Sequence, residues 1–331
     1  VVGSLVARGW SGPPAITGGR LVTDWRADPA VVVALTVAAA AYLFGVGRLR
    51  ARGVAWSAWR TAAFVVGGLG TVAVALLSGL AAYDEVLFSA HMAQHMLLAM
   101  LAPILLALGA PLTLALRTLP RRPRRGLVQL LHSRVARVLT HPVLGWLLFV
   151  GTPFALYLTP LYQDSLTHPW LHVLVHVHFL VVGCLFFWPL LGLDPVPGRL
   201  PHGLRLLVTF SVLPFHAFLG LAIYSSSQLI AGPYYAALAR PWGASLASDQ
   251  HTAGAILWGT GDLVGLAVFA VLFVQWAGAD ARTARREDRA QDRAEQAGTD
   301  DDVLAAYNAR LAALQRRSGP AGDAATMPPT P

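Results

Sequence analysis

Lysine is absent from the 331-residue chain, and all 25 of its basic side chains are arginine. Without a lysine amine there is no retinal or pyridoxal Schiff base and no Walker-type phosphate loop. Cysteine is nearly absent. The lone Cys184 excludes an internal disulfide framework and any CxxC site. Charge is scarce as well: 13% of residues are charged, against about 25% in a soluble globular domain. No HExxH pair occurs. HMAQH, from His91 to His95, has the spacing, but Gln94 cannot act as a base, which removes an intramembrane zinc protease. The first 28 residues hold no apolar core followed by a small-residue cleavage site, so no cleavable signal is read there. The chain opens on Val1 rather than Met, as a trimmed start or a piece of a longer protein would.

What the chain has in excess is apolar surface. Hydrophobic residues make up 55% of it and mean hydropathy is +0.55, which points to an integral membrane protein. A spanning helix needs roughly 20 mostly apolar residues. Seven runs qualify, at about 29–47, 61–82, 90–116, 142–159, 169–191, 204–226 and 251–277. The expected fold is therefore all-α, a polytopic bundle of seven transmembrane helices. Residues 1–28 precede the bundle, 29–277 form it, and 278–331 make a charged tail with a helical patch at 303–314 and a Pro/Gly/Ala-rich, disordered end from 318. Pro103 and Pro111 are expected to kink the long third span.

Arginine sets the orientation. Loops 48–60, 117–140 and 192–203 and the tail are arginine-rich, while the alternate loops carry Asp84, Glu85 and Asp164. By the positive-inside rule the N-terminus lies outside and the C-terminus inside. The net charge of +8 is thus an orientation signal rather than a nucleic-acid footprint. Trp56, Trp59, Trp146, Trp188 and Trp276 near one boundary, with Trp170 near the other, read as an aromatic belt.

On that topology eight of the eleven histidines fall in the outer half, on four helices. His91 and His95 open the third span. His168, His172, His176 and His178 lie on the fifth, His216 on the sixth, and His251 opens the seventh beside Asp249. His91 and His95 share a helix face, about 6 Å apart along the axis. Met92, Met96 and Met100 form an adjacent stripe, and Cys184 continues the His168–His172–His176 stripe deeper. Imidazole, thioether and thiolate together suit copper, Cu(I) above all, more than magnesium or calcium. Taken singly, a methionine stripe is usual core packing, and an interfacial histidine usually serves hydrogen bonding. Asp262, in the middle of the seventh span, is a costly carboxylate open to a structural, ionic or proton-relay role. Glycines at 254, 259, 261 and 265 permit close packing of the same helix.

Several stretches, in order along the chain, resemble a known family. They are DWRADP, GVAWSAWR, FSAHMAQHMLLAMLAPILLALGAPLTLALR, LYQDSLTHPWLHVLVHVHFLVVGCLFFWPLLGLDP, LPFHAFLGLAIYSS and DQHTAGAILWGTGDL, from about Asp24 to Trp276. They are similar to the seven-helix CtaG-type assembly factors of caa-type cytochrome c oxidase. A single-span copper-chaperone family shares the CtaG name, and this chain does not resemble it. The resemblance implies a bacterial plasma-membrane, multi-pass protein that is not an enzyme. It implies cytochrome c oxidase subunits and membrane lipid as partners and no nucleic acid. The motif histidines it carries over are His91, His95, His172, His176, His216 and His251, with Asp249 and Asp262; His168 supports them. Some similar chains are fused behind a CopD-like domain.

The expectation that follows is a non-enzymatic factor taking up Cu(I) through His91, His95, His172 and His176. Met92 and Met96 would be soft entry ligands, and His216 and His251 would close the site. Two alternatives stay open: a haem-binding redox protein using histidines on facing helices, and a copper transporter.

Overall fold

The computed structural model describes residues 10, 12–197, 200–296 and 300–317. The segments 1–9 and 318–331 discussed above lie outside them. All regular structure among the described residues is helical. Six helices are long and apolar enough to cross a membrane: Pro29–Arg50, Ala58–Tyr83, Phe88–Thr118, Pro169–Leu191, His202–Ser225 and Leu246–Ala290. The bent pair Pro142–Tyr157 and Leu161–Thr167, fourth in chain order, makes a seventh when its two helices are counted as one broken span. Two compact units are distinguished, Val1–Phe273 and Val274–Pro331. The first holds everything described below. The second includes the helix Asp300–Arg317, over the patch where the sequence suggests one.

Local chemistry sets the helix ends. Asp28 caps the first span by accepting from the amides of Ala30 at 2.8 Å and Val31 at 3.2 Å, with Pro29 in the first turn where no amide is needed. Arg48 and Arg50 close the same helix, where cations meet its negative end. Gly192, left-handed at φ 63°, ends the fifth span.

The third span departs from a plain kinked rod. It begins as an α-helix over Phe88–Met96, widens to a π-turn over Leu97–Leu101, and resumes over Ala102–Leu108. Pro103 has no amide to give the carbonyl of Ala99, which relaxes the ladder at that turn. The fifth span exploits the gap. A Cβ on Gly183 would sit 2.2 Å from the Ala99 oxygen, so only glycine lets the two backbones approach there. At Ala110 the chain turns left-handed, φ 49°, which breaks the helix, and Pro111 then starts Pro111–Thr118 with no amide needed in its first turn. Thus Pro103 marks a bulge and Pro111 a break.

The first helix of the bent pair stops at Tyr157, short of the end of the apolar run 142–159, and after Pro160 the chain turns by 73° into Leu161–Thr167. The segment 117–140 is not an open loop but two short helices, Arg121–Leu131 and Arg134–Leu139. Both leave leucine or valine side chains exposed beside their arginines, the pattern of helices lying in a membrane interface. Of the glycines expected to allow close packing, Gly254 faces Gly220 of the sixth span, and a Cβ on either would come within 3 Å of the other's carbonyl oxygen. Gly259 meets nothing.

Candidate metal centre

The arginine-poor end of the bundle holds the site, and its assembly starts with a cap. The third span begins at Phe88 with no capping side chain of its own. Asp249 of the seventh helix supplies one, accepting from the Phe88 amide at 2.8 Å and from the Ser89 hydroxyl at 2.5 Å. That carboxylate is buried and neutralises the positive helix end. His91, in the first turn after the cap, is thereby fixed and wholly buried. Gln94 adds a second anchor, its Nε2 donating to the Ala75 carbonyl of the second span at 2.9 Å.

Against His91 come two residues of the fifth span. His172 and His176 are one turn apart, with ring centroids 4.5 Å from each other and 5.9 and 6.2 Å from that of His91. The fourth member is Asp84, just past the second span. Its Oδ2 accepts from His172 Nε2 at 2.9 Å and lies 3.5 Å from His176 Nε2. One donor atom from each of Asp84, His91, His172 and His176 lies within 4.8 Å of the others. Four donors at that separation, drawn inward slightly, could surround one ion. Imidazole with a carboxylate suits zinc, copper, iron or nickel better than the alkaline earths.

The hydrogen bonding fits an ion as well. His91 Nδ1, His172 Nδ1 and His176 Nε2 are buried without a hydrogen-bond partner. Buried polar groups are ordinarily satisfied, and three imidazole nitrogens in one cluster without a hydrogen-bond partner are donor atoms that an electrophile would satisfy. The Tyr157 hydroxyl lies 3.1 Å from His91 Nε2 and 2.9 Å from His95 Nδ1. One O–H donates to only one of them, so the other imidazole donates to the phenol oxygen. When His91 is that donor, its Nδ1 presents a lone pair to the cluster, the tautomer that metal binding requires.

Around this core stands a tyrosine frame. Tyr162 packs on His91 at 4.7 Å between centroids, and its hydroxyl meets that of Tyr235 at 2.6 Å. Burial pushes the Tyr235 phenol well above its ordinary range, so it remains a neutral hydrogen-bonding group. On one side Asp84 lines an open recess of about 590 Å³ shared with Arg26, Glu85 and Tyr234. This recess leads from the surface to Asp84.

The other predicted residues lie elsewhere. His95, one turn deeper, stacks on Phe179 at 3.8 Å and touches the cluster through Tyr157. Met92 and Met96 belong to the main apolar core with Leu98 and Phe179. His216 is buried against Phe149 and the backbone of Gly261. His251 is exposed, its ring tilted against Tyr224 at 5.1 Å between centroids. His168 sits exposed at the start of the fifth span, its Nδ1 donating to the Asp164 carbonyl. His178 points to Thr152, and Cys184 packs against a separate apolar cluster. Asp249 is a helix cap, and Asp262 Oδ1 is buried with no hydrogen-bond partner. Asp84, the carboxylate the cluster contains, reads in the sequence only as a loop charge.

Residues 40–279 match the family described as cytochrome c oxidase caa3 assembly factor, Caa3_CtaG. The chain belongs to this family. The description is of an assembly role, not a catalytic one. Relatives of this chain include uncharacterized proteins of Mycobacterium bovis and Mycobacterium tuberculosis, each 42% identical over 92% of this chain and 46% of their own length. One of Mycobacterium leprae is 41% identical over the same shares. The chain thus spans about half the length of the curated relatives it matches. No solved structure matches it.

Proposed function

We propose that this chain serves the assembly of caa3-type cytochrome c oxidase by taking up copper as cargo at Asp84, His91, His172 and His176 and passing it to an oxidase subunit. The observation that carries the reading is the convergence of four donors from three parts of the bundle, with three imidazole nitrogens buried and without a hydrogen-bond partner. Membership in the assembly-factor family supplies the destination, and imidazole donors suit copper. A single ion fits this spacing better than haem. Rings 4.5 to 6.2 Å apart with a carboxylate among them leave no room for a macrocycle.

In this reading the N-terminus faces outward and the C-terminus inward, so the arginine-poor end and its recess open outside the bacterial plasma membrane. Asp84 meets the ion from the recess, and the three histidines complete its shell. His95 acts through Tyr157, which orients His91. Met92, Met96 and His216 pack the surrounding core, and His251 stands apart at the surface. The test is made in cells. A strain whose chain carries His172→Ala/His176→Ala should yield oxidase deficient in copper at normal levels of the membrane factor. Full copper content in that oxidase would contradict the proposal.

A further inference from the structure

A second site lies at the opposite, arginine-rich end and shares no residue with the metal cluster. Between the first span and the last stretch of the third runs a groove of about 390 Å³. Its walls are apolar, built from residues such as Ala38, Ala41, Phe44 and Leu114, and no carboxylate is among its lining residues. One end carries Arg48, whose Nε is buried and has no hydrogen-bond acceptor. Just beyond, Arg52 Nη1 donates to the Arg117 carbonyl at 3.2 Å. The guanidinium groups of Arg117 and Arg60 lie over the Trp56 ring, 6.0 and 5.3 Å from its centroid.

The dimensions match one occupant. From Ala38 to Arg48 the helix rises about 15 Å, which is about half of a 30 Å hydrocarbon core. The apolar walls therefore run the depth of one leaflet and end where headgroups begin. An apolar slot of this length suits an acyl chain. A partly exposed guanidinium at the groove's end, with three more arginines nearby, suits a phosphate. We infer that the groove between the first and third spans is a binding site for an anionic phospholipid, its acyl chain against Ala38, Ala41 and Leu114 and its phosphate at Arg48. Trp56 steadies the surrounding arginines by cation–π contact and keeps them directed at the headgroup level.

Lipid retention by the full chain tests this. Protein purified in detergent is equilibrated with equal amounts of dioleoyl phosphatidylglycerol and dioleoyl phosphatidylcholine, and bound lipid is read by native mass spectrometry. The wild type should retain phosphatidylglycerol selectively. Arg48→Gln should lower that selectivity roughly fivefold, Ala41→Phe should expel the lipid, and Arg124→Gln, outside the groove, should change nothing. Excess inorganic phosphate should not displace the lipid, because the acyl chain supplies part of the binding. Equal retention of both lipids by the wild type overturns the inference whatever the variants do. So does undiminished selectivity in Arg48→Gln.

Discussion

Asp84 couples the recess to the histidines, and its substitution is the sharpest probe at the scale of single residues. Asp84→Asn keeps size and hydrogen bonding but removes the anionic donor. Metal affinity, measured by competition with a chelator of known strength, should fall by at least the roughly 10-fold that losing even an outer-shell partner costs, while the fold is retained; unchanged affinity would remove Asp84 from the site. Tyr157→Phe acts differently. It leaves every ligand in place but strips His91 and His95 of a shared partner, at a cost of about 1–3 kcal/mol for buried groups left unsatisfied, read as a lower melting temperature in detergent. Three of the four cluster residues were legible in the sequence, because His91, His172 and His176 sit at helical spacing in apolar runs where an imidazole is conspicuous. Asp84 was not. It contacts a histidine 88 positions away, and in a linear reading it is only a negative charge in a short loop. His251 was misleading for the opposite reason: it opens a span beside Asp249, but helix rotation turns it onto Tyr224 at the surface.

At the scale of elements, the third span depends on neighbours at both its start and its middle. Asp249→Ala should cost about 0.5–2 kcal/mol, the range for a lost helix cap, and should also weaken metal binding, since the cap fixes the turn that carries His91. Loss of stability without loss of metal would separate the cap from the site. Gly183→Ala places a methyl group against the Ala99 carbonyl and should destabilise the bundle by about 1–3 kcal/mol, as overpacking does. An unchanged melting temperature would show that the third and fifth spans part easily. The number and order of spans were readable because length and apolarity suffice for them. The π-turn, the break at Ala110 and the bend after Tyr157 were only partly so. Prolines mark where a helix is weakened, while the conformation adopted there is chosen by tertiary packing, such as Gly183 against Ala99. The interfacial helices Arg121–Leu131 and Arg134–Leu139 were hidden by their own arginines, which dominate a reading made for charge.

For the whole molecule, the two ends of the bundle differ in chemistry: a carboxylate–histidine cluster at one, an apolar groove ending at Arg48 at the other. The proposed orientation makes this difference directional. In a Cys184→Ala background, a cysteine at Ser227 should react with an impermeant maleimide in intact cells, and one at Arg124 only after permeabilisation; the reverse pattern would invert the topology. The central claim is that the cluster holds a copper ion. Elemental analysis of anaerobically purified protein loaded with Cu(I) tests it most directly, beside a variant carrying His91→Ala, His172→Ala and His176→Ala. The account predicts about one tightly held copper per wild-type chain and none in the variant. Equal copper in the two proteins, or none in the wild type, would contradict it.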